Sequence, residues 1–112
     1  MIRRGALARA VLAGDYGKPL PVLVVQAEAL SEAGFGSVLV CPLTTALTGT
    51  TLCRVTVEAT AATGLRERSE VMVEKVTAVA EARLRDPIGE VDAETMRAVE
   101  RALLLAFGIG AR

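Results

Sequence analysis

Residues 14–26 read GDYGKPLPVLVVQ, a cluster of turn-forming residues followed directly by a continuous apolar run. Glycine, aspartate and proline favour turn conformations, so residues 14–19 predict a loop. The run at 22–25 is rich in β-branched residues and contains no polar residue, as in a strand that is buried on both faces. The stretch therefore predicts a loop that leads straight into a central strand of a sheet.

Shorter apolar runs on both sides of this strand predict the rest of the sheet. Residues 37–43 again read as a buried strand, and residues 52–57 alternate as expected of a strand paired with 37–43 in a hairpin. A polar stretch between the two buried runs predicts one helical turn over 28–33. Further strands are expected over 5–12, 70–79 and 88–91, with a loop over 59–68.

The end of the sequence predicts an amphipathic helix. Asp92 is a good N-cap, because its carboxylate can accept hydrogen bonds from the unpaired amides of the first helical turn. Gly108 and Gly110 are expected to end the helix. Several short strands and one terminal helix indicate an α+β fold around a strongly curved sheet. Apolar residues recur along one face of the helix at Met96, Val99, Leu103 and Phe107.

The composition fits a single folded domain over residues 1–112, since 52% of the residues are apolar. No secretory signal follows Arg3 and Arg4, and the longest apolar runs are far shorter than a membrane span. Cys41 and Cys53 are too far apart for a CxxC pair and are expected to be reduced, partly buried thiols. These features predict a soluble cytoplasmic protein.

Charge and residue usage exclude several kinds of site. The 13 basic and 13 acidic residues give a formal net charge of zero, so a polyanion would have to be attracted by a local basic patch. The sequence contains no histidine. This excludes a ribonuclease site with two histidines and any zinc site with a histidine ligand. Neither a metal nor a cofactor is expected.

The order and spacing of these segments resemble those of the MazF/PemK-like toxins, a family of small bacterial toxins from type II toxin–antitoxin systems. The resemblance spans nearly the whole chain, and no single motif decides it. It is carried by residues 14–26, 38–45, 64–65, Ser69, 71–73, 88–89 and 92–105.

This resemblance implies an SH3-like, curved antiparallel β-barrel with a C-terminal α-helix, which agrees with the fold class expected from the apolar pattern. It also implies a homodimer that holds single-stranded RNA in a groove near the dimer interface. Active members are sequence-specific, metal-independent endoribonucleases that leave a 2′,3′-cyclic phosphate. A disordered acidic segment of a cognate antitoxin is expected to block the groove.

The resemblance also assigns site residues. Thr44 is in the position of the family's catalytic threonine. The family's catalytic arginine directly precedes the first proline of the central strand, and that position here holds Leu20, which can neither donate a hydrogen bond nor transfer a proton. The residues expected to contact RNA are Tyr16, Gly17, Lys18, Thr45, Ser69 and Lys75.

Three explanations for Leu20 stay open. The residue is a deliberate inactivation, or a natural variant in which Lys18 supplies the charge, or the mark of a member that binds antitoxin or RNA without cutting. A gyrase-targeting toxin on the same fold, like CcdB, is a further alternative. That activity usually depends on a tryptophan in the C-terminal helix, and this chain has no tryptophan.

Overall fold

The computed structural model describes residues 2–12 and 17–110. Two 3₁₀ turns, Val73–Lys75 and Glu81–Arg83, lie on either side of the sixth strand. The strands and α-helices are β1 (Ala6–Val11), β2 (Pro19–Val24), α1 (Glu28–Ala33), β3 (Ser37–Thr44), β4 (Arg54–Val57), β5 (Ser69–Met72), β6 (Thr77–Ala80), β7 (Gly89–Glu90) and α2 (Ala93–Phe107).

The strands form one antiparallel sheet in the order β4-β5-β3-β2-β1-β7, and β6 also pairs with β3. Leu23 of β2 lies opposite Cys41 of β3 on one side and opposite Leu7 of β1 on the other. The long β3 pairs along its other edge with β6 and then with β5. The sheet curls into a half-barrel with α2 packed against it, which confirms the fold class expected from the sequence.

The predicted hairpin between residues 37–43 and 52–57 is wrong. β4 pairs with β5, with Val55 opposite Val71, and β5 is the strand that pairs with β3. The alternating pattern of β4 shows which face is buried, but it does not identify the neighbouring strand. The connection over residues 45–53 is long enough for β4 to reach past β5.

The predicted single strand over residues 70–79 is also wrong, because the 3₁₀ turn Val73–Lys75 separates β5 from β6. Val71 and Val73 alternate, but Val76 follows Val73 by three residues. A strand of period two cannot keep all three side chains on one face, so the segment turns between them. The turn lets the segment pair with both ends of β3.

Helix α2 closes one face of the sheet. Asp92 caps it as predicted, with the backbone amide of Thr95 donating to the Asp92 carboxylate at 2.8 Å. Met96 and Val99 are buried in the larger core cluster, which also includes Leu7, Leu23 and Cys41. The predicted apolar face ends earlier than expected, because Phe107 is 59% exposed. Gly108 ends the helix in the left-handed conformation.

The opposite face of β1, β2 and β3 carries a second apolar cluster that includes Val22, Val24 and Val40. Residues 22–25 are therefore buried on both faces of the sheet, as predicted. Cys41 is buried, Cys53 is partly buried and both are free thiols, which confirms that expectation. Within the residues that the structure describes, no helix is long and apolar enough to cross a membrane.

Two glycines allow the loop before β5 to touch the backbone of β7. Gly64 has a φ of +68°, and a side chain there would collide with the carbonyl group of Ile88. A side chain at Gly89 would collide with the backbone of Thr63. This close approach explains why glycine is needed at both positions.

Candidate functional site

An open groove of about 640 Å³ is formed by the adjacent ends of β1, β2 and β3 together with β6. One wall comes from the end of β1 and from Leu20 of β2, and the other comes from β6. The last residues of β3, which include Thr44, form the end of the groove. Among the residues that the structure describes, the groove combines apolar side chains with four polar ones, which belong to Thr44, Lys75, Thr77 and Arg83.

Leu20 and Thr44 share this groove. Val22 of β2 lies opposite Pro42 of β3, and the antiparallel register continued by two residues brings Leu20 toward Thr44. Leu20 is half-buried and packs against the second apolar cluster. The two positions that the sequence singled out for chemistry are therefore brought together by the fold.

Thr44 ends β3 with a half-buried side chain. Its Oγ1 accepts a hydrogen bond from the backbone amide of Ala46 at 3.1 Å. A hydroxyl group has two lone pairs and one proton, so this bond leaves the proton available to an acceptor in the groove. The neighbouring Thr45 lies just beyond the strand and is exposed.

Lys75 and Arg83 add positive charge to the groove. Lys75 is at the end of the first 3₁₀ turn, and Arg83 is at the end of the second. The part of the chain that the structure describes offers neither side chain a carboxylate within ion-pair distance, and no acidic residue lines the groove. Arg83 is not predicted from the sequence, because nothing in its local spacing connects it to Thr44.

The other predicted RNA contacts that the structure describes do not line the groove. Gly17 and Lys18 are exposed immediately before β2, and Tyr16 lies outside the described residues. Ser69 is buried in β5, does not line the groove, and donates its hydroxyl proton to the carbonyl oxygen of Glu67 at 2.9 Å. Their contacts with RNA stay predictions.

A buried glutamate fixes the loop that follows Thr44. Glu70 is 1% exposed and accepts hydrogen bonds from the backbone amides of Thr48 and Gly49, both at 2.9 Å. The guanidinium of Arg54 reaches the same carboxylate at 3.2 Å. The hydrogen bond from the Gly49 amide is the main cause that lowers the pKa of Glu70 below its ordinary value. The sequence predicts a strand at Glu70 but gives no sign of this contact.

A second carboxylate completes this cluster. Glu74 binds Arg54 through two hydrogen bonds from Nε at 3.0 Å and one from Nη2 at 2.6 Å. The hydrogen bonds from Arg54 lower the pKa of Glu74. Arg54 is therefore committed to two carboxylates, and its charge is neutralised away from the groove. Within the described residues, no group of three or more histidine, cysteine or carboxylate side chains is arranged to hold a metal ion.

Residues 3–107 match the family described as PemK-like, MazF-like toxin of type II toxin-antitoxin system. The chain belongs to this toxin family. It is 39% identical over 109 residues to "Probable endoribonuclease MazF" of Mycolicibacterium smegmatis, an alignment that covers 96% of this chain and 98% of that protein. The family assignment confirms the resemblance found in the sequence.

Solved structures of other toxins share the fold. The Mycobacterium tuberculosis toxin MazF-mt6 superposes with a TM-score of 0.80 at 26% identity, covering 95% of this chain and 99% of that chain. A mycobacterial endoribonuclease in complex with its cognate antitoxin also gives 0.80, at 23% identity over the whole of both chains. Relatives of this toxin have thus been crystallised with their antitoxins, among them MazE-MazF of Deinococcus radiodurans.

Proposed function

We propose that this toxin is a metal-independent endoribonuclease and that its substrate, single-stranded RNA, binds in the groove that contains Leu20 and Thr44. The observation that carries the proposal is that the Thr44 hydroxyl, Lys75 and Arg83 line one groove, and that no carboxylate of the described residues lies within ion-pair distance of either cation. A groove of this kind suits a flexible polyanion whose phosphates meet the charges while its bases meet the apolar wall. Because mRNA is the proposed substrate, the proposal also puts the protein in the cytoplasm.

The proposed reaction is an internal transesterification. The 2′-oxygen of one ribose forms a bond to the adjacent phosphorus, and the bond from phosphorus to the 5′-oxygen breaks. The 2′-hydroxyl gives up a proton and the departing 5′-oxygen takes one, so the products are a 2′,3′-cyclic phosphate and a 5′-hydroxyl. No water, oxidant or metal is consumed, and the protein has to orient the phosphate and stabilise its developing charge.

Thr44 is proposed to donate its hydroxyl proton as a hydrogen bond to a non-bridging phosphate oxygen. The hydrogen bond from Ala46 holds the hydroxyl oxygen and leaves that proton free to point into the groove. Lys75, which lines the same groove, is proposed to add positive charge that attracts the phosphate. A donor that is already oriented loses little free energy to reorganisation when the phosphate becomes more negative.

Leu20 supports a second candidate function. Its side chain lies in the groove where MazF-like toxins are expected to carry arginine, and leucine can neither bind a phosphate oxygen nor transfer a proton. A toxin-fold protein that holds RNA or antitoxin without cutting would have such a groove. The catalytic function requires RNA cleavage that depends on the Thr44 hydroxyl, whereas the binding-only function requires RNA binding without cleavage. An experiment can therefore separate the two functions.

The partners in the proposal are a second copy of the chain and a cognate antitoxin with an acidic, disordered segment. A segment of that charge would compete with RNA for Lys75. Large apolar side chains exposed at the end of α2 support association with another chain, because monomeric surfaces rarely cluster such groups. These are Leu104, Leu105, Phe107 and Ile109.

The experiment compares the chain carrying Leu20 with its Thr44→Ala variant on a labelled, mixed-sequence single-stranded RNA in EDTA. Cleavage with a 2′,3′-cyclic phosphate end is expected, and Thr44→Ala should reduce the rate by about a hundredfold, the usual loss for one oriented donor. Thr51→Ala is the matched control, because Thr51 is exposed in the loop after β3 and does not line the groove. RNA binding without cleavage would favour the second candidate, and absence of both would contradict the proposed groove.

A further inference from the structure

The charges in the groove are all of one sign. Among the described residues that line it, only Lys75 and Arg83 are ionised, while the whole chain has a net charge of zero. Glu81 is only two residues before Arg83 but does not line the groove. The groove is therefore a local cationic site on a neutral protein, which is what binding of a phosphate group requires.

Arg83 keeps its charge available, in contrast to the arginine of the buried cluster. Arg54 is neutralised by Glu70 and Glu74. Arg83 is exposed, and in the ranges 2–12 and 17–110 no carboxylate lies within ion-pair distance of it. An anion entering the groove would not have to displace a protein carboxylate from this guanidinium.

The backbone beneath Arg83 is held at both ends. The amide of Glu81 donates to the carbonyl oxygen of Gly36 at 2.9 Å, and the amide of Arg85 donates to the carbonyl oxygen of Arg9 at 2.9 Å. Between them, Leu84 packs against the second apolar cluster. The turn that carries Arg83 is thus joined to the sheet on two sides, which limits where the guanidinium can reach.

We propose that Arg83 is the phosphate-binding residue of this groove and supplies the charge that Leu20 cannot supply. Its planar guanidinium would donate two parallel hydrogen bonds to the non-bridging oxygens of an RNA phosphate in the groove that Arg83 and Thr44 both line. Lys75, in the same groove, would act as a point charge. This inference rests on the proposed function, since it names the residue by which the same groove holds RNA.

The test measures RNA affinity as a function of salt concentration for the unaltered chain and for its Arg83→Ala and Arg83→Lys variants. The probe is a labelled, mixed-sequence single-stranded RNA in EDTA. Loss of one phosphate contact should reduce the slope of log affinity against log salt by about 0.7 and weaken binding by about tenfold at moderate salt. Arg83→Lys should keep the slope but recover only part of the affinity, because an ammonium group lacks the planar fork.

Arg97→Ala is the matched control, because Arg97 is exposed on α2, loses the same charge and does not line the groove. Thermal unfolding of each variant separates a loss of binding from a loss of folding. If Arg83→Ala and Arg97→Ala give the same slope as the unaltered chain, the inference is overturned while the proposed RNA groove stands. If the unaltered chain binds RNA without cutting it, the nuclease proposal fails and the slope still decides the role of Arg83. If it binds no RNA, both fail.

Discussion

Glu70 and Thr48 are joined twice across the connection between β3 and β4. Glu70 Oε2 accepts a hydrogen bond from the Thr48 amide, and Glu70 Oε1 accepts one from the Thr48 hydroxyl, both at 2.9 Å. Glu70 is also the residue opposite Thr44 in the register of β3 and β5. The same carboxylate that fixes the loop therefore belongs to the strand pair that positions the groove threonine.

Glu70→Gln should loosen this loop. An amide group cannot replace the carboxylate toward all of its donors, and it also brings two N–H groups of its own. We expect the amide hydrogens of Thr48 and Gly49 to exchange about tenfold faster, the change expected on losing a hydrogen bond to a charged group. The measurement is native-state hydrogen exchange by NMR.

The matched control for this loop is Glu90→Gln, which removes the same charge from an exposed position in β7. It should leave the exchange of Thr48 and Gly49 unchanged. Equal acceleration in both variants would mean that net charge, rather than the contact with Glu70, controls the loop.

Acid should destabilise the protein through the same carboxylates. Hydrogen bonds lower the pKa values of Glu70, Glu74 and Asp92 in the folded state, so each binds fewer protons folded than unfolded. Their contribution to stability is therefore complete above the ordinary glutamate pKa of 4.5 and is lost as the pH falls through the lowered folded values. As the pH is lowered from about 5 to about 2, the urea concentration at the midpoint of unfolding should therefore decrease. In Glu70→Gln, the urea midpoint should change less with pH. If it changes as much as in the unaltered chain, Glu70 does not contribute to the acid sensitivity.

Gly64→Ala should cost about 3 kcal/mol or more of unfolding free energy, because a methyl group would collide with the carbonyl group of Ile88 in addition to straining a positive φ. Gly34→Ala is the matched control. Gly34 has a φ of +74° with nothing near its missing side chain, so only the conformational cost of about 1 kcal/mol applies. Chemical denaturation of both variants measures the two losses of unfolding free energy. Equal losses would show that the backbone around Ile88 can move away from the added methyl group.

The two thiols should differ in reactivity. Burial raises the pKa of Cys41 to about 12, with Glu74 adding to the shift, so almost no thiolate exists at neutral pH. Cys53 is partly exposed, although burial and Glu74 also raise its pKa. In Cys53→Ser, a thiol reagent should react only as the protein unfolds. Rapid labelling of the native variant would show that Cys41 is accessible through a local opening.

The sequence predicted the elements that depend on local patterns. The buried run of β2 and the capped helix α2 were both found, because burial on two faces and an N-cap leave signals within a few residues. The partner of β4 was not found, because the alternation of Val55 and Val57 is the same whichever strand lies beside it. Strand pairing depends on contacts between distant residues, which a single sequence does not show.

The candidate site divides in the same way. Thr44 and Lys75 were predicted as site residues from the family resemblance, and both line the groove, although their roles stay predictions. Arg83, which also lines the groove, and Glu70, which binds the loop after Thr44, were not predicted, because the residues around them are distant along the chain. In the sequence alone, an arginine at the end of a short turn and a glutamate inside a strand cannot be distinguished from ordinary surface residues.

Leu20→Arg should raise the rate of RNA cleavage by about a hundredfold, because a charged donor would then face the phosphate in the groove shared with Thr44. Leu20 is half-buried in the second apolar cluster, so the arginine has to extend toward the groove with its stem in the place of leucine. The measurement is single-turnover cleavage of a mixed-sequence single-stranded RNA in EDTA, with Leu20→Met as the control for altered packing. The same gain in the methionine variant would point to packing instead of charge. If neither the arginine variant nor the unaltered chain cleaves RNA while both bind it, the binding-only function is the correct one.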